Sequence, residues 1–306
     1  MHIYLPIADI PINALLMLAL GGVVGFMSGM FGVGGGFLMT PMLMFAGVPS
    51  AVAVATGANP LIASSITGTI AQYRRRNVDT KLGLYLLGGG AAGSLLGVQI
   101  VSLLRRAGQF DLTVSLLYVV FMSVVGGIMF VESLRAITSQ RAGKPQSMRR
   151  RAQRGWIHAL PFRTRFKASK LYISALPPIG IGVLVGLLSG VMGVGGGFVM
   201  VPILIYVLRV PTSLAIGTSL FQVIFVSAIT TVLQAVWNHN VDIALALLLM
   251  IGGVLGAQAG SAAGQRLRAE QLRLLLAILV LGVGLRLLMG LFSPPDLFSL
   301  SRAGAS

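Results

Sequence analysis

The chain has 306 residues, of which 56% are hydrophobic and 10% are charged, and its mean hydropathy is +0.90. A soluble domain carries about 25% charged residues, so this composition excludes a solvated globular surface and predicts a protein of the lipid bilayer. The absence of cysteine excludes disulfides and thiolate metal sites, and the net charge of +16 lies in loops between apolar runs, which favours cytoplasmic loops over a nucleic-acid partner.

About eight apolar segments follow one another along the chain, and most are long enough for a helix of about 20 residues to span the hydrocarbon. They cover residues 12–46, 51–73, 82–104, 112–134, 176–208, 213–237, 243–265 and 271–292. The runs are continuous and do not alternate, so they indicate α-helices rather than the strands of a barrel. The predicted fold class is therefore all-α, a polytopic membrane protein.

The sequence repeats itself. The stretches "SGMFGVGGGFLMTP" at 28–41 and "SGVMGVGGGFVMVP" at 189–202 are identical at ten of fourteen positions. The tripeptide "NVD" recurs at 77–79 and 240–242. Matches in Gly, Pro, Asn and Asp in the same order do not follow from apolar composition, so we predict two homologous halves.

The predicted organisation is a first membrane repeat at 1–135, a basic linker at 136–175 and a second membrane repeat at 176–306. The linker carries ten Lys or Arg between residues 136 and 172 and no acid. Such a segment is typical of a cytoplasmic connector at the plasma membrane. Aromatic residues such as Trp156 interleave with the cations, which also suits contact with anionic lipids.

The distribution of cations predicts how the halves are related. If each glycine-interrupted segment enters the bilayer and returns, nineteen Lys or Arg lie on the linker side and three on the other, with Arg286 inside the last apolar run counted on neither side. If each interrupted segment crosses completely, the division becomes sixteen against six. The positive-inside rule favours the first arrangement, an inverted repeat with both termini outside.

Glycines have two predicted roles. Gly89, Gly93 and Gly97 are spaced four apart, as are Gly252, Gly256, Gly260 and Gly264, which is typical of faces where helices pack closely. The glycines of the runs at 32–36 and 193–197 would lie on all sides of a helix and cannot form one packing face. They instead predict local breaks with free backbone N–H groups. Paired broken helices in inverted repeats indicate the substrate site of a transporter, and a helix N-terminus suits an anion.

The candidate substrate-binding residues are the glycines of the two breaks and the polar residues of the segments that follow them. They are Gly34, Gly35, Gly36, Thr56, Asn59, Gly195, Gly196, Gly197, Thr218, Ser219 and Gln222. The glycines would supply backbone donors, and the Thr, Ser, Asn and Gln side chains would supply further donors. Thr and Ser hydroxyls can alternatively bond to their own helix, whereas a buried amide without a partner is costly. Asn59 in the first half aligns with Phe221 in the second half, which indicates that the site is not symmetric.

The chain offers little for catalysis. His2, His158 and His239 show no metal-ligand spacing, and no Ser/His/Asp arrangement is evident. We therefore expect no enzyme activity, no metal and no cofactor. Arg286 is the only cation deep in an apolar run, and it either reaches the outer interface or serves as a counter-charge for the anion.

Two copies of "GxGGGFxxxP", each followed by "VP" and then by "ATG" or "GTS", resemble the sulfite exporter TauE/SafE family of membrane transporters. The resemblance covers nearly the whole chain. It implies secondary transport of small sulfur-containing anions such as sulfite, sulfoacetate or related organosulfonates, with export as the expected direction. The paired broken helices of an inverted repeat predict that transport proceeds by alternating access. An anion channel is the alternative, and a membrane-anchored binding module is a third class.

Overall fold

The structure is a computed structural model that describes residues 2–5, 7, 10–31, 36–141, 163–166, 169, 171–264 and 269–292. The helices are α1 Ala14–Phe31, α2 Gly36–Phe45, α3 Ser50–Gly57, α4 Asn59–Arg74, α5 Thr80–Arg106, α6 Phe110–Arg141, α7 Leu176–Met192, α8 Gly197–Tyr206, α9 Thr212–Leu233, α10 Ile243–Gly264 and α11 Ala269–Phe292. The strands are β1 His2–Leu5, β2 Ile10–Asn13, β3 Arg163–Phe166 and β4 Leu171–Ser174, and a π-helical turn at Gln234–Asn238 continues α9.

Helices dominate the described part of the chain, and five are long and apolar enough to cross a membrane. These spans are Thr80–Arg106, Phe110–Val131, Thr212–Asn238, Ile243–Gly260 and Leu274–Phe292. The prediction of an all-α polytopic membrane protein is confirmed. The first apolar run is divided into α1 and α2, and its counterpart is divided into α7 and α8.

Two short β-hairpins precede α1 and α7 and were not predicted. β1 pairs antiparallel with β2, and β3 pairs antiparallel with β4. Leu5 and Ile173 are buried and join the core clusters, so each hairpin is held against the ends of the helices. Strands of four residues carry too little periodicity to be recognised beside apolar runs of more than twenty.

The predicted glycine faces form the tightest helix contacts in the described structure. α5 packs against α7, and a Cβ on Gly93 would lie 2.0 Å from the carbonyl oxygen of Val183. α10 packs against α1, and a Cβ on Gly256 would lie 2.0 Å from the carbonyl oxygen of Gly22. The packing prediction is confirmed for Gly89, Gly93 and Gly97 and for Gly252, Gly256 and Gly260, while the surroundings of Gly264 lie outside the described part of the structure. The two contacts are equivalent, since α5 corresponds to α10 and α7 corresponds to α1.

The helix ends define two opposite faces. The N-terminal face holds the β1–β2 hairpin and the start of α10, where the Asp242 carboxylate accepts a hydrogen bond from the Ile7 N–H at 3.3 Å. Arg105, at the end of α5, donates to a backbone carbonyl just before α10. The linker face holds the β3–β4 hairpin and the start of α5, where Lys81 donates to the Arg165 carbonyl at 3.4 Å. α5 and its counterpart α10 therefore run in opposite directions, as an inverted repeat requires.

The last helices of the two halves, α6 and α11, pack against each other. A Cβ on Gly126 would lie 3.0 Å from Leu281, and one on Gly284 would lie 3.2 Å from Met122. The residue numbers rise along one helix as they fall along the other, so the pair is antiparallel. This contact relates the halves by an approximate two-fold axis.

Each broken segment returns to the face from which it started. Ser50, the first residue of α3, donates a hydrogen bond to Asp111 at the start of α6, so α2 leads back to the N-terminal face. Thr218, near the start of α9, accepts a hydrogen bond from the N–H of Asp79 at the linker face, so α8 leads back to that face. The breaks are therefore re-entrant, which is the arrangement that the charge count favours.

Candidate functional site

The second break has the backbone that its glycines predict. Gly193 ends α7 with φ +71°, and Gly195 and Gly196 follow with φ +65° and +77°. These left-handed conformations cost little for glycine and are unfavourable for other L-residues. In the first break, the predicted Gly34 and Gly35 lie outside the described residues, and Gly36 is the buried first residue of α2.

The starts of the two half-helices meet inside the protein. The rings of Phe37, in the first turn of α2, and Phe198, in the first turn of α8, stack with centroids 4.1 Å apart. Among the described residues no side chain caps the N-terminus of α8, whose first residue is the predicted Gly197. The first N–H groups of a helix have no acceptor within it, so this junction combines free donors with the positive ends of helix dipoles.

Side chains of α2 and α6, both in the first half, secure the end of α7 beside this junction. The carbonyl oxygen of Met192 accepts hydrogen bonds from the Tyr118 hydroxyl and, at 3.4 Å, from the Thr40 hydroxyl. The last carbonyls of a helix otherwise lack partners. Thr40 belongs to α2, so the first half-helix is bonded directly to the second break.

The predicted threonines lie at opposite ends of the central helices. The Thr56 hydroxyl oxygen accepts a hydrogen bond from the Asp242 N–H at 3.2 Å, at the N-terminal face. The Thr218 hydroxyl oxygen accepts one from the Asp79 N–H at 3.0 Å, at the linker face. The structure therefore does not bring these two residues together, and each joins one half of the protein to the other.

The other predicted side chains have different surroundings. The Ser219 hydroxyl donates to the Ile216 carbonyl of its own helix at 2.9 Å. Asn59 is buried as the first residue of α4, directly before Pro60. Gln222 is fully buried, and neither amide atom has a partner among the described residues. Gln222 is thus the strongest of the predicted side-chain donors.

Asp79 and Asp242 form two related contacts that were not predicted. Each caps the helix that follows it, accepting the N–H of Leu82 or Leu245 at 3.1 Å through one carboxylate oxygen. The second oxygen of Asp79 accepts both the N–H and the hydroxyl of Ser169, at 2.9 and 2.7 Å. These bonds attach the β3–β4 hairpin to α5, as Asp242 attaches the β1–β2 hairpin to α10. The repeated "NVD" was the signal that could have revealed them.

Sequence reasoning also missed two pairs of hydroxyls along the central helices. Ser65 and Thr69 in α4 correspond to Ser227 and Thr231 in α9, with the same residue type at each position. All four hydroxyls are buried and lack a partner among the described residues. The sequence signal for these hydroxyls was that the two halves have identical polar residues at equivalent positions of otherwise apolar helices.

A small cavity lies beside the first break, and Gln222 occupies part of the equivalent region beside the second. The cavity is lined by Val24, Gly25, Ser28, Gly36, Met39, Gly57, Pro60, Leu61, Ser64 and Gly253. The volume of the cavity is about 10 Å³, which is enough for roughly one water molecule. In the second half, Gln222 replaces Pro60, and its Nε2 would lie 3.0 Å from a Cβ on Gly90, the counterpart of Gly253. The two halves therefore differ at the centre, as the Asn59–Phe221 mismatch predicts.

Buried charge is scarce in the described part of the chain. Asp79 and Asp242 are the charged residues buried there, and both lie at the faces. Arg286 is exposed, with its guanidinium 4.9 Å from the centre of the Phe45 ring at the end of α2. No group of three or more potential metal ligands occurs among the described residues. A ligand at the centre would thus be bound by neutral donors.

The fold defines a class, the α-helical polytopic membrane proteins built as an inverted repeat with re-entrant broken helices. Within that class the chain belongs to the sulfite exporter TauE/SafE family, whose sequence model, described as "Sulfite exporter TauE/SafE", matches residues 17–287.

Curated relatives support the assignment. The chain is 27% identical over 288 residues to "Probable membrane transporter protein YunE" of Bacillus subtilis (strain 168), covering 91% of this chain and 98% of that one. It is 32% identical over 254 residues to a "Probable membrane transporter protein" of Xylella fastidiosa (strain 9a5c), covering 82% and 85%. It is 27% identical over 135 residues to "Sulfite exporter TauE/SafE family protein 3" of Arabidopsis thaliana, covering 42% and 28%. No solved structure matches the chain. The protein is a membrane transporter of this family.

Proposed function

We propose that the protein is a secondary transporter that exports small sulfur-containing anions, such as sulfite or organosulfonates, by alternating access. The observation that carries the proposal is the meeting of two half-helix starts at Phe37 and Phe198 inside an inverted repeat. Free N–H groups and dipole ends there suit a negative group. The family description and the name of the Arabidopsis relative support sulfite or a chemically similar anion as the substrate.

The proposed substrate donors are the backbone of both breaks and the buried amides. Gly34–Gly36 and Gly195–Gly197 would present N–H groups, and Asn59 and Gln222 would add side-chain donors. Thr56 and Thr218 stay predicted donors, since their hydroxyls accept the N–H groups of the two aspartates and retain a hydrogen to donate. Ser219 stays a predicted donor only if its hydroxyl gives up its bond to the Ile216 carbonyl. A sulfonate or sulfite group has three acceptor oxygens and matches a site built from neutral donors.

Transport should show the signature of a carrier. Proteoliposomes preloaded with unlabelled sulfite should accumulate radiolabelled sulfite transiently against its gradient, and the rate should saturate with concentration. A carrier must return its site to the other side, and unlabelled substrate speeds this exchange. Single-channel currents without counterflow would instead identify an anion channel.

Binding can be tested apart from transport. The purified protein should be stabilised against thermal unfolding by members of a panel of sulfite, sulfate, thiosulfate, taurine, sulfoacetate and carboxylates. A ligand at 100 times its Kd stabilises the folded state by about 2.7 kcal/mol, which is a measurable rise in Tm. If none of these anions raises Tm, the proposed anion site is wrong.

We further propose that the linker face is cytoplasmic at the plasma membrane, with the basic linker beside anionic lipids, because the cations concentrate there. The cysteine-free chain allows a direct test with single thiols. A membrane-impermeant maleimide applied to intact cells should label Gln109→Cys at the N-terminal face and leave Lys81→Cys at the linker face unlabelled. Labelling should be equal after permeabilisation. The reverse pattern would contradict this orientation.

A further inference from the structure

Ser65 and Ser227 are hydroxyl groups that the fold buries without giving them a bond. Both side chains are 0% exposed, and neither has a hydrogen-bond partner among the described residues. They are the same residue at equivalent positions of α4 and α9. Burying an unpaired hydroxyl is unfavourable, so a matched pair of them at the centre points to a ligand that completes their bonds.

Neighbouring hydroxyls show that α4 can satisfy such groups itself. The Ser64 hydroxyl donates to the Leu61 carbonyl at 3.2 Å, and the Thr67 hydroxyl donates to the Ser64 carbonyl at 2.8 Å. This is the usual arrangement for serine and threonine in a helix. Ser65 lies between these two residues on another face of α4, and its buried hydroxyl has no partner among the described residues.

The position of Ser227 connects the pair to the second break. A Cβ on Gly195 would lie 2.8 Å from the Ser227 hydroxyl oxygen, 2.4 Å from a Leu61 methyl group and 3.5 Å from Val223. Leu61 is one helical turn before Ser65 on the same face of α4, as Val223 is before Ser227 on α9. The faces of α4 and α9 that carry the two serines are therefore turned toward the break at the start of α8.

We propose that Ser65 and Ser227 bind the transported anion directly, each donating its hydroxyl hydrogen to a different oxygen. The inference rests on the proposed function and adds two ligands to its site. An oxyanion with three oxygens can accept from hydroxyls on two helices and from an N–H of a half-helix start at once. Buried cations are missing from the described centre, so these neutral donors give the site its preference for oxyanions.

Alanine variants separate a binding role from a structural one. Ser65→Ala and Ser227→Ala remove an unpaired hydroxyl, so the Tm of the ligand-free protein should stay the same or rise. Their affinity for sulfite or sulfoacetate, measured by thermal-shift titration, should fall about tenfold to a hundredfold, because bonds to charged groups are worth about 1.5–3 kcal/mol. Thr67→Val, which removes a hydroxyl bonded to its own helix, is the matched control and should bind like the wild type. A lowered Tm with unchanged affinity would overturn the proposal.

A thiol test remains informative even if an alanine variant fails to fold. In the cysteine-free chain, Ser227→Cys should react with N-ethylmaleimide in the states in which alternating access opens the site to water. Sulfoacetate should slow that reaction at least fivefold, with Thr67→Cys as the unprotected control. Sulfite is unsuitable here because it adds to maleimides. If the wild type binds no anion, the proposed function fails. If the wild type binds while the variants bind as tightly and sulfoacetate gives no protection, only the serine assignment fails.

Discussion

Replacing Asp79 with alanine is expected to lower the unfolding temperature of the purified protein strongly. The buried carboxylate accepts three hydrogen bonds, one from Leu82 and two from Ser169, at 2.7 to 3.1 Å. Alanine would leave three buried donors unpaired, each at a cost of about 1–3 kcal/mol, and would remove the cap of α5. The expected loss of stability is on the order of 3 kcal/mol or more, and tryptophan fluorescence during heating would measure it.

Two other aspartates provide graded controls. Among the described residues of its hairpin, only the Ile7 N–H donates to the Asp242 carboxylate, at 3.3 Å, so Asp242→Ala should destabilise the protein less than Asp79→Ala. Asp111 also stands at a helix start but is exposed, so Asp111→Ala should change the free energy of unfolding by less than about 1 kcal/mol. Equal effects of the three variants would show that the Asp79–Ser169 contact does not stabilise the fold.

The membrane topology could be predicted from the sequence because it depends on the hydrophobicity and charge of whole segments and not on single contacts. Long apolar runs require helices in lipid, and the distribution of cations favours an inverted repeat. Glycine stripes such as Gly89, Gly93 and Gly97 predict close packing since only small residues allow helix backbones to approach. The hairpins escaped prediction because a four-residue strand depends on partners distant in sequence, such as Asp79 for the turn at Ser169.

The centre of the site was less predictable because a hydroxyl's role depends on its neighbours in space. Thr56 and Thr218 recur in both halves and resemble substrate donors, yet each accepts a backbone N–H at one face of the protein. Ser65, within "LIASSITGT", resembles its neighbour Ser64, and only the structure distinguishes the unpaired hydroxyl from the paired one. The glycine breaks were predictable because consecutive glycines disfavour a continuous helix and cannot form a single packing face.

Replacing Gly195 with alanine is expected to reduce sulfite transport at least tenfold. Gly195 has φ +65°, a conformation that costs a non-glycine residue about 1–2 kcal/mol. The new Cβ would also lie 2.4 Å from a Leu61 methyl group and 2.8 Å from the Ser227 oxygen, so these groups must shift. Displacing them disturbs the proposed binding centre directly, and counterflow rates in proteoliposomes, normalised to folded protein, would measure the loss.

The control is Gly88→Ala, because a Cβ at that helical position would have no atom of the described structure within 4 Å. This variant should fold and transport like the wild type. Wild-type transport by Gly195→Ala would contradict the assignment of the break to the substrate site.

A double variant separates the two causes of the loss. Leu61→Ala removes the methyl group that lies nearest the new Cβ, and it leaves the backbone strain at residue 195 unchanged. If crowding displaces the binding groups, Gly195→Ala combined with Leu61→Ala should transport faster than Gly195→Ala alone, and the two effects should not be additive. If the left-handed backbone itself positions the N–H donors, the second substitution should restore nothing. The cycle therefore distinguishes a site formed by side chains against the break from a site formed by the broken backbone.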